Sequence, residues 1–191
     1  MCGIFGFWKN TALTAEDIDK ANKCLSLLKH RGPDNQNYWV DKKNGIYFGH
    51  TRLSIIGLES INNQPAINQS SVIIYNGELY NFLEIKNSLI NLGHKFKTSS
   101  DTEVIQLAWN EWGEKCLDKF DGMYSFAIFQ KNKLFIVNDL FGEKPIYYSK
   151  TENGFYFSSE IQVLQKFLNL DTNMTMLDAI EFLSLGFLRS P

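Results

Sequence analysis

The chain has 191 residues, enough for one domain with a sizeable core, and its 44% hydrophobic and 21% charged residues are ordinary for a soluble globular protein. A formal net charge of −2, with no run of five like charges, gives no footprint for a nucleic acid or a polybasic membrane partner, and no apolar run approaches a membrane span. The first residues lack a signal-peptide pattern. Cys2, Cys24 and Cys116 lack metal or disulfide spacing, so a reducing cytoplasm is the expected setting.

In chain order, Cys2 to Trp8 reads as a buried strand. Thr14 caps a helix that runs to about Lys29, with Ile18, Ala21, Leu25 and Leu28 on one face and Cys24 as a core thiol. The turn His30-Arg31-Gly32-Pro33-Asp34 follows, shaped by an Arg31–Asp34 pair. Strands are expected at Asn37–Val40, Gly45–Leu53 and Ser71–Tyr75, the last ended sharply by Asn76-Gly77. Phe82–Leu92 reads as a helix closed by Gly93, His94–Lys97 as a short strand, and a helix capped by Asp101 or Thr102 runs to Gly113. Met123–Gln130 and Lys133–Asn138 form a predicted hairpin, as do Ile146–Lys150 and Phe155–Ser158, followed by helices at Glu160–Phe167 and Met176–Leu185. Strands and helices come in blocks, which favours α+β with antiparallel sheets.

Four clusters carry the chemistry-bearing residues. Cys2 holds a thiol, and if Met1 is removed it also holds a free α-amine, a nucleophile with its own base. Arg52 sits at a strand end within Gly49–Ser54, Asn76 and Gly77 sit at a strand-to-turn junction, and Asp101 lies at a helix start. Taken singly these are a buried cysteine, a surface charge, a hairpin turn and a helix cap. His30 and His50 are read as structural.

The ordered set MCGIFGF, HRGPD, GHTRLSII, NQP, YNGELYNF, SSDTEVI, FDGMYSFAIF, NDLFGEKPIYY and FSSE resembles the class II glutamine amidotransferase domain, a branch of the N-terminal-nucleophile hydrolases, and within it the asparagine synthetase family. The resemblance implies a four-layer αββα sandwich of two antiparallel sheets. It implies Cys2 as nucleophile, Asn76 and Gly77 as oxyanion donors, and Arg52, Glu78 and Asp101 as clamps for L-glutamine, with Leu53, Ser54, Ile55 and Ile56 lining the pocket. Asp139, Phe141, Gly142 and Lys144 are read as shaping a loop, with no catalysis assigned to them. Two positions depart from the family pattern: Asn138 stands where an Arg is usual, and Gly57 where an Asp is common.

Family members continue into an ATP-dependent synthetase domain that takes up the ammonia. Residues 2–175 correspond to the glutaminase domain and residues 176–191 resemble the start of the next one, with Phe182, Leu185 and Phe187 as an apolar patch for it. No SGGxDS loop occurs in the sequence, so ATP and Mg²⁺ are expected only in that further domain, and no metal or cofactor in this chain. The expected partners are L-glutamine and the synthetase domain or subunit, with a homodimer as a further expectation. The rival functions are a non-catalytic glutamine-binding or assembly module, an amidase of another substrate, and the glutaminase subunit of an enzyme that amidates natural products or surface polysaccharides.

Overall fold

The computed structural model describes residues 1–55, 59–171, 173 and 175–186. Gly3–Lys9 (β1), Asn35–Asp41 (β2), Ile46–Arg52 (β3), Tyr147–Thr151 (β8) and Gly154–Ser158 (β9) form one antiparallel sheet in the order β2-β3-β1-β9-β8. Ala66–Ile67 (β4), Ser71–Leu79 (β5), Gly122–Gln130 (β6) and Lys133–Asn138 (β7) form a second, in the order β4-β5-β6-β7. The helices are Ala15–Leu25 (α1), Phe82–Asn91 (α2), Asp101–Trp112 (α3), Ile161–Leu168 (α4) and Met176–Leu185 (α5).

Strand alternation distributes the side chains into three apolar layers. From β1, Phe5 and Phe7 face α1 and α4, where they meet Leu25, Leu28, Leu164 and Phe167. The alternate residue Ile4 joins Ile46, Phe48, Val72, Ile74, Ala127 and Phe157 between the two sheets. On the far side of the second sheet, Ile73, Tyr75 and Phe126 pack under α2 and α3 against Leu89, Ile105 and Trp109. The order helix, sheet, sheet, helix is the expected αββα sandwich.

Three local expectations are corrected. The strand does not stop at Asn76-Gly77: β5 continues to Leu79, with Gly77 paired to Tyr124. A Cβ on Gly77 would lie 2.3 Å from the Met123 carbonyl and 2.6 Å from the Tyr124 Cα, so its glycine serves close strand approach rather than a turn. Gly77→Ala is therefore expected to cost roughly 2–3 kcal/mol or more, because rigid backbone rather than a flexible side chain blocks it; a urea melt reads this. His94–Lys97 is not a strand, since no neighbour offers it a ladder, whereas the short strand β4 arises in a stretch with no local strand pattern. Ser100, not Asp101 or Thr102, caps α3, accepting the Thr102 N–H at 3.0 Å.

The turn after α1 is also built differently. Arg31 Nη1 pairs with Glu160 at 3.2 Å and its Nε donates to the Cys2 carbonyl at 3.0 Å, while Asp34 accepts the Ser54 N–H at 2.7 Å. Two residues close in sequence thus bind partners distant in sequence, and together they tie the N-terminal strand to the rim of the sandwich. Thr175 caps α5, which has no buried residue; Phe182 and Leu185 are exposed, and Phe187 lies outside the described residues.

Candidate functional site

Along each of the four central strands, the inward-facing row changes character at the same end. In β3 it runs Ile46, Phe48, His50, Arg52, and in β5 Val72, Ile74, Asn76, Glu78. In β6 it runs Phe129, Ala127, Ser125, Met123, paired to the β5 row, and β1 extends from Ile4 to Cys2. The apolar filling between the sheets gives way to polar groups there, and a cavity of about 120 Å³ opens. Cys2, Arg52, Leu53, Ile55, Asn76, Gly77, Glu78 and Asp101 all line it. Ser54 is not among the residues lining it, and its N–H donates to Asp34; Ile56 lies outside the described residues.

The Cys2 sulfur is half-buried, 3.4 Å from the Leu53 N–H and 3.6 Å from the Leu53 carbonyl. Burial raises the thiol above its ordinary pKa; the Leu53 N–H, the chain's N-terminal charge and Arg52 pull it down, and Asp101 pushes it up. Burial wins, so the resting sulfur is protonated at neutral pH and needs a base nearby. Cys24 and Cys116 are deeper in apolar layers, and burial raises both thiols.

Arg52 is buried, and its Nη1 donates to the Glu59 carbonyl at 3.2 Å and to Asn63 Oδ1 at 2.8 Å, which holds the guanidinium against the loop that closes the cavity. Asp101, at the first turn of α3, accepts the Tyr75 hydroxyl at 2.8 Å and the Leu79 N–H at 3.3 Å, both on Oδ2. Burial raises its pKa against those hydrogen bonds. Asn76 is 1% exposed, and its Nδ2 is buried with no hydrogen-bond partner among the described residues, an arrangement that costs stability unless a ligand uses it. Gln64 closes the wall between sheet and helix: its Oε1 accepts the Tyr75 N–H at 2.6 Å and its Nε2 donates to Thr102 at 3.2 Å.

His50 is fully buried, and its Nε2 faces the Tyr75 carbonyl at 3.1 Å. That oxygen can only accept, so Nε2 carries the proton. Burial pushes the imidazole from 6.5 down to about 4, and it stays neutral at pH 7. The unfolded chain therefore binds an extra proton between about pH 6.5 and pH 4, and His50 removes roughly 3 kcal/mol of stability as the pH falls through that window. Urea midpoints at pH 7 and pH 5 should differ less in His50→Gln than in the wild type. An equal difference in both proteins would contradict this.

Sequence patterns missed Lys144 and Met1. Lys144 is buried at the cavity edge, and its Nζ approaches the Met1 sulfur at 3.4 Å. The loop before it winds around Asp139, whose carboxylate accepts the backbone N–H groups of Tyr124, Phe141, Glu143 and Lys144 at 3.0–3.1 Å and is held below its ordinary pKa by them. Asn138, the last residue of β7, donates its Nδ2 to the Lys144 carbonyl at 3.0 Å, so the departure from the family pattern braces this loop. No single-residue signal in the sequence marks a loop lysine as buried. Among the described residues no group of three His, Cys, Asp or Glu could hold a metal ion, and no helix is long and apolar enough to cross a membrane.

A family profile described as "Glutamine amidotransferase domain" matches residues 1–191. "Asparagine synthetase [glutamine-hydrolyzing] 3" of Bacillus subtilis is 33% identical over 197 residues, covering 100% of this chain and 32% of that protein. "Putative asparagine synthetase [glutamine-hydrolyzing] 2" of Methanocaldococcus jannaschii is 37% identical over 215 residues, covering 100% and 40% respectively. This chain thus spans well under half the length of these curated relatives. In fold it is similar to the glutamine phosphoribosylpyrophosphate (PRPP) amidotransferase from B. subtilis complexed with ADP and GMP, with a TM-score of 0.72 at 22% identity over 87% of this chain and 43% of that one. The two share the architecture of two packed antiparallel sheets flanked by helices. The chain belongs to the glutamine amidotransferase domain family and is homologous to part of the proteins named glutamine-hydrolysing asparagine synthetases.

Proposed function

We propose that the chain hydrolyses L-glutamine to glutamate and ammonia, with Cys2 as nucleophile. The observation that carries this reading is the single cavity lined together by Cys2 just before β1, Arg52 of β3, Asn76, Gly77 and Glu78 of β5, and Asp101 of α3. In a chain beginning at Cys2, the α-amine takes the thiol proton and the sulfur attacks the glutamine carboxamide carbon. The C–N bond then breaks as the amine returns the proton to the leaving ammonia. Water hydrolyses the resulting γ-glutamyl thioester, releasing glutamate and restoring the thiol. While Met1 remains, the Cys2 nitrogen is an amide and the base is lost.

The partnerless Asn76 Nδ2 supports an oxyanion-donor role beside the Gly77 N–H. Arg52 clamps the glutamine α-carboxylate, and the Asp101 and Glu78 carboxylates take its ammonium. Leu53 and Ile55 line the slot, and Ser54 and Ile56 are assigned to the same side of the substrate.

The ammonia passes to an ATP- and Mg²⁺-dependent amidation of aspartate or a similar carboxylate, which we assign to the part of the relatives that this chain does not cover. Residues 176–191 belong with that part on this reading. The unburied α5 and its exposed Phe182 and Leu185 support it. The setting is cytoplasmic.

Glutamate release by protein beginning at Cys2, with glutamine and a simple primary amide compared, tests the reading. Glutamine is expected to be strongly preferred, and Arg52→Met is expected to lower kcat/KM roughly 10- to 150-fold, mainly through KM, by losing a charge-assisted contact. Equal turnover of both amides would overturn the clamp assignment.

A further inference from the structure

Lys144 is the one buried lysine among the described residues, and the only hydrogen bond of its ammonium there is to the thioether of Met1, a weak acceptor. A buried ammonium with so poor a partner is costly, and the fold nonetheless fixes it in place. The backbone of Lys144 is held at its N–H by Asp139 and at its carbonyl by Asn138. Its partner is moreover the residue whose loss exposes the Cys2 amine. Met1 Sδ is linked to the Cys2 nitrogen through the Met1 side chain and carbonyl carbon, so the ammonium, 3.4 Å from that sulfur, lies within roughly 10 Å of the Cys2 nitrogen.

We propose that Lys144 acts through Cys2 as an electrostatic positioning residue: once Met1 is gone, its ammonium faces the Cys2 α-amine and keeps that amine neutral, and so able to act as base, near pH 7. The inference rests on the proposed glutaminase chemistry. An α-amine ordinarily titrates near 7.7–8.0, so about a tenth is neutral at pH 7. A neighbouring cation disfavours its protonated form and lowers that value, and the same field favours the thiolate, so the proton transfer from sulfur to amine is not penalised overall.

The other charged groups around Cys2 come from every neighbouring element. Arg52 on β3 and Arg31, bonded to the Cys2 carbonyl, add positive charge. Asp101 on α3 and Glu78 on β5 oppose them; Tyr75 on β5 is held neutral by burial and by Asp101, and His50 on β3 is neutral. On the loop itself, the Asp139 carboxylate, which accepts the Lys144 N–H, and Glu143 are the opposing charges, but neither forms an ion pair with the Lys144 ammonium among the described residues. Arg31 already has Glu160 as a counter-ion and Arg52 is assigned to the substrate carboxylate, which leaves the Lys144 ammonium as the cation on the amine's side.

The test is the pH profile of kcat/KM for protein beginning at Cys2, in wild type, Lys144→Met and Lys144→Arg. Lys144→Met is expected to move the acidic limb upward by about one pH unit and to lower the rate near pH 7 roughly fivefold, with rates converging near pH 9. Lys144→Arg is expected to keep the limb near the wild-type position, because it keeps the charge. The convergence at high pH also shows that Lys144→Met is folded.

A second readout does not depend on glutamine. The rate at which iodoacetamide alkylates Cys2, followed by mass of the N-terminal peptide, should shift to higher pH in Lys144→Met. If wild type releases no glutamate but this shift is seen, the function is wrong and the Lys144 inference stands. A uniform rate loss at every pH in Lys144→Met, with the acidic limb and alkylation profile unmoved, overturns the inference and leaves Lys144 a structural residue of its loop.

Discussion

Cys2→Ala is expected to reduce glutamate release by at least about 10⁴-fold while leaving the fold intact, because the nucleophile is removed and nothing else in the cavity can replace it. Cys24 and Cys116 are held in apolar layers away from the cavity and cannot substitute. The side chain lost is small and only half-buried, so the urea midpoint should barely change. Protein that retains Met1 should be comparably inactive for a different reason: its sulfur is intact, but burial keeps the thiol protonated and the adjacent nitrogen is no longer basic. The two inactive forms are separable by alkylation, which labels Cys2 in the second and nothing at that position in the first.

The second large effect is expected at Asn76. Its carboxamide sits between the sheets with Nδ2 unpartnered, beside Ser125, whose hydroxyl also has no partner among the described residues. Asn76→Ala is expected to lower kcat about 10²–10³-fold, which is about 3–4 kcal/mol of barrier, with little change in KM. The split matters because a donor used only when negative charge develops on the carboxamide oxygen contributes to the transition state and not to ground-state binding. Stability should not fall in parallel, since removing an unsatisfied buried amide relieves a desolvation cost even as it leaves a small void. A large rise in KM with unchanged kcat would assign Asn76 to glutamine binding instead.

Much of the sandwich is legible along the chain because its signals are local. The apolar alternation of Phe5 and Phe7 against Ile4 appears in sequence, as does the hairpin at Lys131-Asn132, where both residues take the positive φ that such a turn requires. The Asn76-Gly77 pair misleads for the same reason. Its local chemistry reads as a turn, while its actual conformation is dictated by a ladder with Tyr124 and Ser125, far along the chain. The Arg31–Glu160 pair and the shared binding of Tyr75 by Gln64 and Asp101 are likewise tertiary, and no spacing rule could join them.

The site residues fall into the same two groups. Cys2, Arg52 and Asp101 stand at element ends, where position along a strand or helix already suggests presentation to a cavity, while Asn76 lies inside β5 and reaches the cavity through the strand's alternation. Lys144 stands in a loop, and only the winding of that loop around Asp139 turns its ammonium inward. The upward shift of the Cys2 thiol is equally absent from the sequence pattern, because it follows from burial and not from the neighbouring residues in sequence.

The most direct test of the account is covalent capture. Protein beginning at Cys2 is incubated with a glutamine analogue that carries an electrophile in place of the carboxamide, and the modified peptide is located by mass spectrometry. The account predicts one adduct per chain on the N-terminal cysteine peptide, suppressed by excess glutamine and much reduced in Arg52→Met. An adduct on Cys24 or Cys116, or labelling of Cys2 that glutamine does not protect, would contradict it.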